Sequence, residues 1–253
     1  MNAISGPRDE QELALAARAL AGRSLGDVAR EHGLACPEDL RRAKGFVGSL
    51  VERALGARAG SRSGPDFPEL GIELKTLPVD ERGRPVESTF VCTIPLLRVA
   101  DLEWENSPVR AKLARVLWVP VEGDRQKAPA TRRLGEPLLW SPSTSEEAEL
   151  RFDWEELSGI IGRGDVEAVT GHLGRHLQVR PKAADSRARR MGTDRDGARI
   201  SAMPRGFYLR ASFTRRILEA NYVIPSVRSR GSRGETCGGS DLPGSPHRAG
   251  RHR

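Results

Sequence analysis

The chain has 253 residues, enough to bury a substantial core as one domain or two lobes. Its formal net charge of +7 suggests a polyanionic partner, but residues 226–253 carry six arginines against only Glu235 and Asp241, so most of the excess lies in that tail. A nucleic-acid face must therefore come from local clustering, not bulk charge. No apolar run is long enough to cross a bilayer, and the polar residues 1–11 contain no signal-peptide core. Cys36, Cys92 and Cys237 are odd in number and widely spaced, which argues against a disulfide framework or a zinc pattern. A soluble protein of the reducing cytoplasm is expected.

Residues 9–21 favour helix, with Leu13, Ala16, Ala17 and Leu20 as an apolar stripe. Ser24 suits the cap of a short second helix over residues 25–32. Pro37 suits the first turn of a third helix running to about Leu55, with Glu38 and Asp39 at its positive end. Lys44 and Glu52 are expected on that helix. The short helix, turn, longer helix order raises a helix-turn-helix DNA reader, but the third helix lacks polar base-reading side chains at its start. Residues 56–64 form a Gly/Ser/Arg loop that offers Arg58 and Arg62 to a phosphate backbone. It lacks the Lys-Ser/Thr ending of a nucleotide-binding loop.

Residues 65–75 carry the most chemistry. Leu70, Ile72 and Leu74 alternate with Gly71, Glu73 and Lys75, the period-2 pattern of a half-buried strand. Glu73 and Lys75 then project together, opposite the apolar trio, and Asp66 can join them from just upstream. Two acids and an ammonium suit metal-assisted phosphodiester hydrolysis: carboxylates hold a hard cation such as Mg²⁺, and the lysine orients a water or stabilises phosphate charge. Taken alone, a Glu-x-Lys strand face is more often simply a solvated surface.

Residues 89–95 and 114–121 read as further strands, with 136–140 as a short one. Residues 145–161 form an amphipathic helix opened by a Ser-Thr-Ser-Glu-Glu run. Residues 162–174 leave room for another short helix. His172 and His176 have helical ligand spacing, but Gly174 weakens the helix and the glutamate of a zinc protease motif is missing. Residues 177–180 suggest a strand and 186–199 a basic loop. Residues 200–203 and 206–209 suggest a strand pair, and 213–220 a last helix. Beyond Pro225 the Ser/Gly/Arg/Pro composition predicts disorder. This order of elements predicts an α/β or α+β core with a mixed sheet, flanked by a helical lobe.

Several segments resemble the MutH family of DNA mismatch-repair endonucleases, from about residue 10 to residue 224. They are Arg42-Ala43-Lys44-Gly45, Leu70-Gly71-Ile72-Glu73-Leu74-Lys75-Thr76-Leu77-Pro78-Val79-Asp80 and Thr89-Phe90-Val91-Cys92. Arg115-Val116-Leu117-Trp118-Val119-Pro120-Val121-Glu122-Gly123, Gln178-Val179-Arg180-Pro181-Lys182-Ala183 and Pro204-Arg205-Gly206-Phe207-Tyr208-Leu209 follow in the same order. The resemblance implies a restriction-endonuclease-like fold, a mixed sheet flanked by helices in two lobes that clamp DNA. It implies Mg²⁺-dependent nicking of the unmethylated strand at hemimethylated GATC, 5′ to the G, by a monomer activated by MutL bound to MutS at a mismatch.

Carried over by residue, the resemblance makes Asp66, Glu73, the Leu74 carbonyl and Glu52 the metal ligands and Lys75 the catalytic lysine. Lys112 would assist at the site and Lys44 would contact the DNA backbone. Arg180, Pro181 and Lys182 would form the recognition loop, with Tyr208 and Phe90 also at the DNA. A nuclease domain over residues 1–225 and a basic tail over 226–253 are expected, and family members end near the position of Ile224. A stand-alone restriction enzyme at GATC and a DNA-binding module without catalysis remain the alternatives.

Overall fold

The computed structural model describes residues 6–57, 64–182 and 187–222. The arginine pair Arg58 and Arg62, and the tail over 226–253, lie outside the described residues. α1 (Glu10–Ala19) is capped by Asp9, whose carboxylate accepts the Glu12 N–H, and α2 (Leu25–Glu31) by Ser24, whose hydroxyl accepts the Asp27 N–H. α3 (Phe46–Ala54) begins later than Pro37 predicts. Gly45 takes φ of 88° just before the first helical residue, a left-handed backbone that a helix cannot pass through. Lys44 therefore sits on an exposed turn, not on the helix, and Glu52 alone of the two rides on α3. The irregular residues 32–45 also separate α2 from α3 too far for a helix-turn-helix.

There follow β1 (Glu73–Val79), β2 (Thr89–Thr93), α4 (Pro108–Leu113), β3 (Val116–Glu122), β4 (Leu138–Trp140), α5 (Thr144–Gly162), β5 (Leu177–Pro181), β6 (Arg190–Thr193), β7 (Arg199–Ala202), β8 (Arg205–Leu209) and α6 (Ala211–Asn221). β1 runs parallel to β3, and β4 pairs antiparallel on β3's far side. A second, antiparallel sheet has the order β2-β8-β5, and β6 and β7 form a hairpin. The expected pairing of residues 200–203 with 206–209 does not occur. β7 pairs instead with β6, which lies inside the stretch expected to be a loop, and β8 lies between β2 and β5.

The sheet holding β1 and β3 separates two apolar cores. Leu117, Val119 and Val121 join Ile72 and Leu74 against Leu13, Leu25, Val28, Leu50 and Val51 of the first three helices. Val116, Trp118 and Leu77 join the other core, where α5 contributes Leu150, Trp154, Leu157 and Ile161 and α6 contributes Phe213, Ile217 and Leu218. β3 is buried on both faces until Glu122, as a central parallel strand should be. The mixed sheets flanked by helices match the fold class expected from the sequence. Among the described residues no helix is long and apolar enough to cross a membrane.

Candidate active site

A tight turn starts the site. Phe67 and Ile72 exchange backbone hydrogen bonds around Gly71, whose φ of 67° closes the loop. That reversal returns Asp66 to the start of β1, where its Oδ2 accepts the Leu74 N–H at 2.8 Å. Glu73, the first strand residue, is 3% exposed, so it is not part of a solvated face. Its Oε1 accepts from Lys75, two residues on and on the same side of the strand.

The other carboxylate oxygen of Glu73 is served from a second element. Ser107 caps α4, Pro108 opens it, and Lys112 near its end reaches across to Glu73 with Nζ 2.7 Å from Oε2. The same ammonium donates to the Gly64 carbonyl, tying α4 to the segment that leads into Asp66. Sequence periodicity did not reveal α4, although Ser107-Pro108 is a recognisable helix start. Glu52 comes from α3, which crosses β1 with Gly48 toward Thr76.

The electrostatics record the crowding of acids. Burial pushes the Glu73 carboxyl above the ordinary glutamate range, Lys75 pulls it back, and Asp66 pushes it further. Burial also raises Glu52, and repulsion from Asp66 and Glu73 adds to that rise. Cys92 lies behind the same cluster, and burial pushes its thiol up to about 12. It is a neutral wall residue, consistent with its place in an apolar run.

A second group of side chains gathers on the β2-β8-β5 sheet. Phe90 and Tyr208 are register partners with ring centroids 5.3 Å apart, edge to face. Lys182 Nζ stands 4.2 Å from the Phe90 ring centroid, and the Arg180 guanidinium 5.8 Å from that of Tyr208. Arg180 Nη1 also donates to Ser88 Oγ at 2.8 Å, a partner the sequence did not indicate. Pro181 ends β5, and the Lys182 N–H returns to the Pro204 carbonyl at 2.7 Å. Gly206 makes this cluster possible: a Cβ there would stand 2.8 Å from the Phe90 ring and 3.1 Å from the Cys92 carbonyl. A glycine inside a strand is the signal that could have shown this close approach.

The two groups meet in one cleft of about 810 Å³, lined by Lys75 and Leu74 on one side, Phe90, Arg180, Pro181, Lys182 and Tyr208 on the other, and Lys44 at its edge. Asp66, Glu73, Glu52 and Lys112 do not line it, and Asp66 opens onto a separate cleft with Phe67, Pro68 and Leu70.

A model for the MutH family, described as the DNA mismatch repair enzyme MutH, matches residues 55–153. The DNA mismatch repair protein MutH of Serratia proteamaculans (strain 568) is 53% identical over 218 residues, which span 86% of this chain and 96% of that protein. The proteins of the same name from Klebsiella pneumoniae (strain 342) and Escherichia coli O139:H28 are 50% identical over 220 residues and 49% identical over 221. Those matches span 87% of this chain and 95% and 96% of the two relatives. The chain belongs to the MutH family.

Membership in the MutH family makes the chain a DNA mismatch-repair endonuclease, a hydrolase acting on phosphodiester bonds. The family-model match spans Asp66, Glu73, Lys75, Phe90 and Lys112, while the matches to the relatives extend over most of the chain. Among the described residues, no three His, Cys, Asp or Glu side chains converge closely enough to cage a metal ion. Both Glu73 oxygens face ammonium groups instead. The chemistry of the donor set still fits a hard divalent cation. The candidate donors are all oxygens, and burial together with the neighbouring acids raises the Glu52 and Glu73 carboxyls, so a bound cation would favour their ionised form.

Proposed function

We propose that this MutH-family enzyme uses Mg²⁺ to nick the unmethylated strand at hemimethylated GATC sites, 5′ to the G. It acts as a monomer, activated by MutL with MutS at a mismatch. The observation that carries the reading is the position of Lys75: its ammonium bonds Glu73, and its side chain opens into the cleft that holds Arg180, Lys182 and Tyr208. Hydrolysis and sequence selection then share one cavity with a lysine at the boundary.

In this reading Asp66, Glu73, the Leu74 carbonyl and Glu52 hold the Mg²⁺, which when bound polarises a phosphoryl oxygen and acidifies a water. Lys75 holds the attacking water and stabilises charge building on the phosphate. Lys112 keeps the buried Glu73 partly neutralised and must share that carboxylate with the cation. Lys44, exposed at the cleft edge, contacts the phosphate backbone. Arg180, held by Ser88, forks onto the O6 and N7 of guanine. Lys182 and Tyr208 meet the adenine and its methyl mark, with Phe90 and Pro181 shaping the wall beside them.

Nicking of a hemimethylated GATC plasmid with and without MutL tests this directly. MutL-stimulated nicks confined to the unmethylated strand support it. Fast cutting of both strands without MutL would identify a stand-alone restriction enzyme. Duplex binding with no divalent-dependent cleavage under any activation would identify a DNA-binding module.

A further inference from the structure

A second cleft of about 900 Å³ adjoins the first, and the two share Lys44, Gly45, Gly48, Thr76, Pro78 and Glu87 as a common floor and edge. The second one contains none of the carboxylates, aromatics or recognition residues described above. Its cations are Arg41, Lys44, Arg125, Lys127 and Arg132, against Glu38, Asp39 and Glu87. The positive excess comes largely from one loop, residues 124–132, that follows β3.

That loop is held in shape. The Gly123 N–H donates to the Val79 carbonyl at 2.7 Å, and a Cβ on Gly123 would stand 3.1 Å from both that oxygen and Val86, so the start of the loop is held tightly against the end of β1. The Gln126 N–H is taken by Asp124, and the Arg132 guanidinium donates twice to the Lys127 carbonyl. Arg125 is exposed and has no partner among the described residues. Among the described residues Lys127 pairs only with the part-exposed Glu122, and such surface pairs hold a lysine weakly. Both cations are therefore available to another anion.

We propose that this second cleft is a continuation of the DNA path, in which Arg125 and Lys127 bind backbone phosphates of the duplex flanking the recognition sequence. This rests on the reading of the first cleft as the GATC site, because the argument for a duplex is continuity with that cleft plus positive charge. Leu40, Phe46, Val47 and Val86 line the cleft with these cations, and flexible cations on a fixed loop suit phosphate contacts that carry no sequence information. The flanking duplex would then contribute affinity and orientation but no selectivity.

The test measures binding of the full chain to two GATC duplexes, one ending just outside the recognition sequence and one longer by a helical turn on each side. The expected result is tighter binding of the long duplex. Arg125→Ala/Lys127→Ala should abolish that advantage and lower the slope of log K against log salt by roughly 2, since each phosphate contact contributes about 0.9. Binding to the short duplex and preference for GATC over altered sequences should not change. Arg151→Ala/Arg163→Ala, on α5 and at its C-terminal cap, removes the same charge elsewhere and should leave the length advantage intact.

Equal binding of both duplexes, an unchanged slope in the loop variant, or an equal loss in the α5 variant would each overturn the inference. So would a loop variant with normal DNA binding that lost only its response to a protein activator. Loss of any preference for GATC in the unmodified chain would instead overturn the proposed function.

Discussion

Replacing Lys112 by methionine keeps most of the side-chain volume and removes its ammonium group. The lysine side chain is 11% exposed and its partner Glu73 is 3% exposed, so the pair is largely dry. Breaking a buried pair from one side costs about 3–5 kcal/mol, and the lower end applies because Lys75 continues to serve Glu73. The Gly64 carbonyl also loses its donor. For a chain of this size, about 3 kcal/mol corresponds to a fall in Tm of roughly 6–12 °C.

The pH dependence adds a second check. The pair exists only while Glu73 is ionised, and its carboxyl is raised by burial and lowered by Lys75 and Lys112. The deficit of Lys112→Met should therefore be largest at neutral and alkaline pH and shrink as acid protonates Glu73 in both proteins. Excess Mg²⁺ should narrow the deficit, since a cation on Glu73 replaces the missing ammonium. Thermal unfolding followed by circular dichroism across pH measures all of this. A Tm unchanged by Lys112→Met at neutral pH, or a deficit that grows in acid, would refute the buried three-residue arrangement.

Glu52→Gln should act in the opposite direction on stability. The folded-state Glu52 carboxyl is raised, so the stability of its protonated form is fully present below the unfolded value and is lost as pH rises through the folded one. Glutamine mimics the protonated form, so the variant's Tm should exceed that of the unmodified chain at neutral pH, with the gap closing in acid, while nicking falls. Gly206→Ala should push the Phe90 ring out of its contact with Tyr208, costing about 1–3 kcal/mol of stability by overpacking. Weaker GATC preference in binding assays should accompany it. Arg180→Ala should cost about 1–3 kcal/mol of binding and relax discrimination at a single base, as read by competition with singly altered duplexes.

Much of the frame was legible because alternation and caps are local signals. The Leu70–Ile72–Leu74 alternation pointed to β1, although the strand begins only at Glu73 and Leu70 and Gly71 form the turn before it; the Val/Trp-rich run located β3, and Ser24 capped α2 as expected. The start of α3 was misplaced because Pro37-Glu38-Asp39 is a good helix opening, whereas the deciding feature is the left-handed Gly45. Pairing was less legible than strand position. Neighbouring β7 and β8 suggested a hairpin, but Pro204 carries no N–H and the buried β8 inserts between two sequence-distant strands.

The site was legible as chemistry and not as geometry. Asp66, Glu73 and Lys75 stood out by type and spacing, but nothing local showed that Glu73 would be buried. Nor did anything local show that Lys112, on an unforeseen helix, would reach the second Glu73 oxygen. Those facts depend on where α4 and α3 pack, which is decided by the two cores rather than by the residues around each charge.

The central claim is that Lys75 serves the cleavage chemistry at the edge of a cleft whose other residues choose the sequence. The most direct test is single-turnover nicking of a hemimethylated GATC duplex by Lys75→Ala, with binding measured on the same duplex in the same buffer. The account predicts GATC binding close to that of the unmodified chain and no detectable Mg²⁺-dependent nick on either strand. Retained nicking, or loss of binding equal to the loss of cleavage, would contradict it.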